Sequence, residues 1–160
     1  RQAGDCTGVY PLASVAAMQG RVAMHHALGD AVQPLNLRGV TANIFTDPEI
    51  ATVGYSQADV EEGKIEARVV TLPLSTNPRA KMRNITDGFV KLFARPGSNT
   101  IIGRVVVAPQ ASELISPIGM AVANRLTVDQ VANTFSVYPS MTGSIAEAAR
   151  RLHSLSLIHI

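Results

Sequence analysis

The chain has no tryptophan, and tyrosine and phenylalanine together make up only 4% of its 160 residues. Platforms on which bases stack are therefore scarce. The formal charge of +2 at pH 7 is too small to draw a nucleic acid or a membrane surface. A single cysteine, Cys6, excludes an internal disulfide framework and fits a reducing cytoplasm. No apolar run reaches the roughly 18 residues that a membrane-spanning helix needs, and no signal-peptide pattern opens the sequence. Glycine-rich dinucleotide-binding motifs are absent. So is any metal-ligand spacing: His25 and His26 are neighbours, about 100° apart on a helix, and cannot chelate one ion together.

What is present is the balance of a globular protein, 46% hydrophobic and 16% charged. The length suits one compact domain with an appendage. The ends suggest a piece of something longer. A Gly4-Asp5-Cys6-Thr7-Gly8 loop follows Arg1 and Gln2 almost at once, without the strand from which such a loop should arrive. The segment 154–160 is apolar, uncharged and without helical periodicity, and reads as a cloning or read-through tail.

Between the ends the period of the pattern changes. Pro11 suits a first helical turn, and a helix is expected over about 12–28 with Gly29 as its stop. Small residues (Ala13, Ala16, Ala17, Gly20, Ala27) line one of its faces. The stretch 30–39 reads as a linker and a domain boundary. From Val40 the period becomes two. Strands are expected at 42–46, 51–55 and 67–74, with Asp47-Pro48-Glu49 as a break. Ser56 and Asp59 open a short helix that Gly63 ends. A hairpin with a four-residue loop, 96–99, joins strands at 89–95 and 100–108. A helix then runs from Ser112 to about Arg125, with Pro117 demanding a kink or a late start. Thr127 with Gln130, and Ser144 with Glu147, both read as capping boxes. Strands followed by helices without strict alternation give an α+β fold: an antiparallel sheet of about five strands with helices on one face. Arg79, Lys81 and Arg83 read as a solvated basic loop. Met120, Val122 and Ala123 read as a helix stripe packed on the sheet or on a symmetry mate.

An ordered series of motifs carries a family resemblance over nearly all of 4–151. Gly4-Asp5 followed by Pro11-Leu12-Ala13-Ser14, then Phe45-Thr46-Asp47-Pro48-Glu49-Ile50-Ala51-Thr52-Val53-Gly54, then Gly88-Phe89-Val90-Lys91-Leu92, then Ala111-Ser112-Glu113-Leu114-Ile115 resemble the flavoprotein pyridine nucleotide-disulfide oxidoreductases. Lipoamide dehydrogenase, glutathione reductase and mercuric reductase belong to that family. The resemblance implies that 1–39 is the last piece of an FAD-binding domain and 40–151 the dimerisation (interface) domain, with 152–160 left as tail. It also implies a cytoplasmic homodimer that holds FAD and oxidises NADPH or NADH. The family's redox cysteine pair would lie in a domain outside this chain, so Cys6 is expected to be a loop residue. Asp5 would accept a hydrogen bond from a ribityl hydroxyl, and Pro11, Leu12, Ala13 and Ser14 would present a helix start to the flavin. The positive end of that helix would favour the reduced, more negative flavin.

One departure redirects the chemistry. Where disulfide reductases of this family read His-Pro-Thr with a Glu shortly after, this chain reads Tyr138-Pro139-Ser140-Met141-Thr142-Gly143. A phenol, ordinarily titrating near 10, does not cycle a proton at neutral pH as an imidazole does. Thiol–disulfide exchange is therefore disfavoured. Hydride transfer from a nicotinamide to FAD, then electron delivery to a quinone-like small-molecule acceptor, is favoured. An actinobacterial branch known as NAD(P)H quinone reductase shows the same Tyr-Pro-Ser. Soluble pyridine-nucleotide transhydrogenases and lipoamide dehydrogenase-type reductases are the alternatives, and a non-catalytic dimerisation module is the alternative of another class. Tyr138 stands in the position of the catalytic histidine, either as an active-site group or as an aromatic filling the dimer cleft.

Overall fold

The computed structural model describes residues 2–157. Arg1 and the last part of the expected tail, 158–160, lie outside the described residues.

Helix α1 (Ala13–Ala27) follows the extended Leu12, and the chain then passes through Gly29 with a φ of 93°. Val15 is the one buried side chain of α1, so this helix rests on the surface of the fold. Residues 28–36 are irregular. A single 3-10 turn, Leu37–Gly39, then delivers the chain to the sheet, with the Arg38 amide donating to Asn36 Oδ1.

Five strands form one antiparallel sheet: β1 (Thr41–Ile44), β2 (Glu49–Gly54), β3 (Arg68–Pro73), β4 (Phe89–Ala94) and β5 (Ile101–Ala108), in the spatial order β1-β2-β5-β4-β3. β4 and β5 make the hairpin that the sequence predicts. Arg95 donates its amide to the Thr100 carbonyl, which leaves 96–99 as the loop. β1 ends earlier than the pattern predicts. The Thr46 hydroxyl donates to the Pro48 carbonyl and tightens the connection, so Glu49 enters β2 instead of breaking it, and Phe45 is left exposed in the turn.

The helices are α2 (Gln57–Glu61), α3 (Pro78–Met82), α4 (Ala111–Leu114), α5 (Ser116–Ala123), α6 (Val128–Ala132) and α7 (Gly143–Leu157). Alternate strand residues, Ala51, Val53, Val90, Leu92, Val106 and Ala108, join one core with Ile118, Val128, Ala148 and Leu152 from α5, α6 and α7. The helices are thus not all on one face: Lys91 points away from that core and its Nζ meets Gln57 Oε1, so α2 lies across the other side of the sheet. The long helix expected at 112–125 is two helices divided at Ile115, with Pro117 in the first turn of the second, where its missing N–H costs nothing. α7 runs through the expected boundary at 151/152. Leu152 is fully buried and its carbonyl accepts from Arg68 Nη1, so the folded domain includes it.

Two local expectations fail for identifiable reasons. The Arg79–Arg83 stretch is not a loop: Asn77 Oδ1 accepts from the Arg79 and Ala80 amides at 2.8 and 3.1 Å, Pro78 sits in the first turn, and α3 results. Ser144 does not cap α7. Its hydroxyl is buried and accepts from Asn77 Nδ2 at 2.7 Å, while Ser140 Oγ takes the Gly143 amide at 3.1 Å. Glu147 accordingly is no N3 partner, and pairs with Arg150 and Arg151.

Candidate functional site

The structure divides the residues singled out from sequence into two clusters. The first is built on the start of α1. Gly4 adopts a φ of 87° and opens a 3-10 turn, Asp5–Thr7, that closes back on Asp5 through the Gly8 amide at 3.0 Å. Gln19, one and a half turns inside α1, fastens this turn to the helix. Its Oε1 accepts the Gly4 amide at 2.7 Å, and its Nε2 donates to Thr7 Oγ1 at 3.3 Å. The sequence gives no hint of Gln19, because a polar residue on an exposed helix carries no local signal.

So held, Asp5 is exposed and its carboxylate has no hydrogen-bond or ion-pair partner among the described residues. Leu12 provides no side-chain cap, and the first intrahelical bond runs from the Ala16 amide to the Leu12 carbonyl at 3.0 Å. The amides of Ala13, Ser14 and Val15 are therefore open donors at the positive end of a 15-residue helix. Pro11, Ala13 and Ser14 are exposed and Leu12 is half-buried. The carboxylate is an open acceptor for hydroxyls, and the uncapped amides are open donors for carbonyl oxygens or negative charge. Cys6 is exposed, and its thiol donates only to the Ala3 carbonyl.

The second cluster surrounds Tyr138, on the connection between α6 and α7. Tyr138 is 82% exposed and precedes a cis bond to Pro139. Phe135 and Val137 beside it are also exposed. Asn77, distant in sequence, holds the base of this loop. Its Nδ2 donates to the Ser140 carbonyl at 3.0 Å and to Ser144 Oγ, while its Oδ1 caps α3. A buried amide thus spends its donors on the segment that carries Tyr138 and its acceptor on α3, which ties the two together. Asn77 lies outside every motif in the sequence, so this clamp, too, is found only in the structure. A cleft of about 310 Å³ opens next to Tyr138, lined by Asn77, Ser140, Ser144, Glu147, Arg150 and Arg151 among others. None of Asp5, Pro11, Leu12, Ala13 or Ser14 lines it.

On the neighbouring side of the loop, an apolar groove of about 550 Å³ runs between α5, α6 and α7 and includes Met120, Phe135 and Val137. Met120, expected on a buried or symmetry-covered stripe, is exposed along this groove. His25 pairs with Asp30 at 2.8 Å, and no group of ligands able to hold a metal occurs among the described residues.

Residues 40–149 match the family model of the pyridine nucleotide-disulphide oxidoreductase dimerisation domain. The chain belongs to that family. Among the pyridine nucleotide-disulphide oxidoreductases it is 61% identical over 150 residues to a protein named NAD(P)H dehydrogenase (quinone) from Mycobacterium tuberculosis, covering 94% of this chain and 30% of the relative. It is 42% identical over 149 residues to a mercuric reductase of Shigella flexneri, covering 92% of this chain and 26% of that protein. Among solved structures, LpdA of Mycobacterium tuberculosis superimposes with a TM-score of 0.90 at 61% identity, over 94% of this chain and 33% of that one. The chain thus spans about 30% of the length of the curated relatives it matches. The α+β fold with an antiparallel five-stranded sheet is that of the family's dimerisation domain.

Proposed function

We propose that this chain is the C-terminal part of an FAD-dependent NAD(P)H oxidoreductase that passes electrons to a quinone-like acceptor, and that alone it is inactive. Residues 40–151 supply the homodimer interface, and residues 1–39 supply the helix start that meets the flavin. Bound FAD would accept a hydride from NADPH or NADH and release electrons to the acceptor. Asp5 then orients the cofactor by accepting from its hydroxyls. The open amides of Ala13 and Ser14, with Leu12 and Pro11 setting the entry angle, stabilise negative charge at its polar edge. Tyr138, projecting from a loop apart from that cluster, serves the cleft of the partner subunit. The likeness to the relative named for quinone reduction supports this acceptor class.

The observation that carries the reading is Tyr138-Pro139-Ser140 with Gly143 following, in place of an imidazole and its orienting carboxylate. No side chain of this loop can act as acid and base near neutrality, so a two-proton disulfide reduction lacks its shuttle. An acceptor protonated from solvent has no such need. The test is NADPH and NADH oxidation by the full-length enzyme carrying these residues, reconstituted with FAD and offered lipoamide or a small quinone. Quinone turnover with negligible lipoamide turnover is expected. Comparable rates would overturn the proposal and favour a lipoamide dehydrogenase-type disulfide reductase. Hydride exchange between nicotinamides without quinone turnover would point to a transhydrogenase.

A further inference from the structure

Away from both clusters, a concave pocket of about 480 Å³ collects three arginines, Arg38, Arg95 and Arg125, from three separate segments of the chain. No carboxylate lines it; Tyr55, Ser98 and Thr100 supply hydroxyls instead. None of the three guanidiniums has an ion-pair partner among the described residues. With 14 Lys and Arg against 12 Asp and Glu in the whole chain, three unmatched cations around one hollow are a local concentration that the overall charge conceals.

The hollow is also built. The Arg38 guanidinium lies 4.0 Å from the centroid of the half-buried Tyr55 ring. Tyr55 is fixed from behind, its amide donating to the Ile102 carbonyl at 3.0 Å. Two glycines permit that approach: a Cβ on Gly54 would fall 2.1 Å from the Ile102 carbonyl oxygen, and one on Gly103 would fall 2.3 Å from the Tyr55 carbonyl oxygen. Arg95 stands where the β4–β5 loop is closed by the hydrogen bond from its N–H to the Thr100 carbonyl. Arg125 adopts a left-handed φ of 54° directly after α5, and its amide is tied to the Val122 carbonyl at 3.2 Å. Such backbone is unfavourable for a non-glycine residue, and it holds this side chain at the pocket.

We infer that this pocket binds a small molecule bearing a diphosphate group. Planar guanidiniums engage phosphoryl oxygens through paired hydrogen bonds. A single phosphoryl group carries about −1.5 to −2 at neutral pH and leaves one of three cations unmatched. Two linked groups match the charge, and the volume lies in the range of small-ligand sites.

Inorganic pyrophosphate is the probe. Titration calorimetry of the full chain at physiological ionic strength should show saturable one-to-one binding, at least about tenfold tighter than inorganic phosphate. Each of Arg38→Gln, Arg95→Gln and Arg125→Gln should weaken it by about tenfold or more, while Lys81→Gln on α3 should leave it unchanged. In the unmodified chain, pyrophosphate should slow phenylglyoxal labelling of these three arginines, read by peptide mass spectrometry, and spare Arg79. This second readout needs no variant to fold. Absence of saturation, equal affinity for phosphate and pyrophosphate, equal loss in Lys81→Gln, or uniform protection of all arginines would each overturn the assignment.

Discussion

The segment before Val40 and the domain after it are put together in different ways. In α1 a single side chain, Val15, is buried. In the domain, every helix but α2 contributes to one continuous core with the sheet, and the central strands β4 and β5 have most of their residues buried and none exposed. Yet the exposed segment carries the open carboxylate and helix amides suited to a cofactor, and the domain carries the bulk of the apolar burial. Apolar burial and open polar groups thus reside in different parts of the chain. The amides at the start of α1 are available because no side chain among the described residues caps them.

The comparison is sharpened by substitutions that strike each region. Leu92→Ala, at a fully buried position in β4, should cost about 3 kcal/mol in equilibrium unfolding, from lost transfer energy and an uncollapsed cavity. Asn77→Ala should cost about 2 kcal/mol by strand- and helix-linked losses: the α3 cap goes, and Ser144 and the Ser140 carbonyl lose their donor. Limited proteolysis should then cut first within 133–142. Arg104→Met should act in the opposite sense and stabilise by about 1 kcal/mol, measured by thermal denaturation. Arg104 is fully buried between Val53 and Leu92, and it donates once, to the Leu114 carbonyl. Its Nε and Nη2 find no partner, and burial pushes its guanidinium down to about 9. Because this value lies below that of the unfolded chain, the folded state binds fewer protons above pH 9, and the penalty is full at neutral pH. Val15→Ala should have the smallest effect, about 1 kcal/mol or less. A loss equal to that of Leu92→Ala would break the comparison, since α1 would then be an integral part of the core.

What the sequence disclosed was what local chemistry decides. The capping boxes of Ser56 with Asp59 and Thr127 with Gln130 form as their spacing predicts, because both partners lie within one turn. The β4–β5 hairpin is legible for the same reason. Ser144 with Glu147 has the same spacing, but Asn77 reaches across from α3 and takes the hydroxyl, so a tertiary bond displaces a local one. α3 was hidden because Asn-Pro signals both a strand end and a helix start, and only the packing of Ala80 decides between them. Arg104 was invisible as a buried residue: alternation in β5 places position 104 inside, and a charge there argues against the observed burial. At the candidate site, Asp5 and Tyr138 stood out through motifs, whereas Gln19 and Asn77, which hold them in place, belong to no motif at all.

The Asn77 clamp also imposes an order on biosynthesis. Its partners are 63 and 67 residues further along the chain. β3, β4 and α3 emerge from a ribosome long before α7 exists to cover them, and α7 supplies Ala148 and Leu152 to the core they share. Until then the amide of Asn77 has no donor target and the apolar face of β4 has no lid. The loop bearing Tyr138 is consequently set only after α7 has emerged and docked, when the domain closes as a unit.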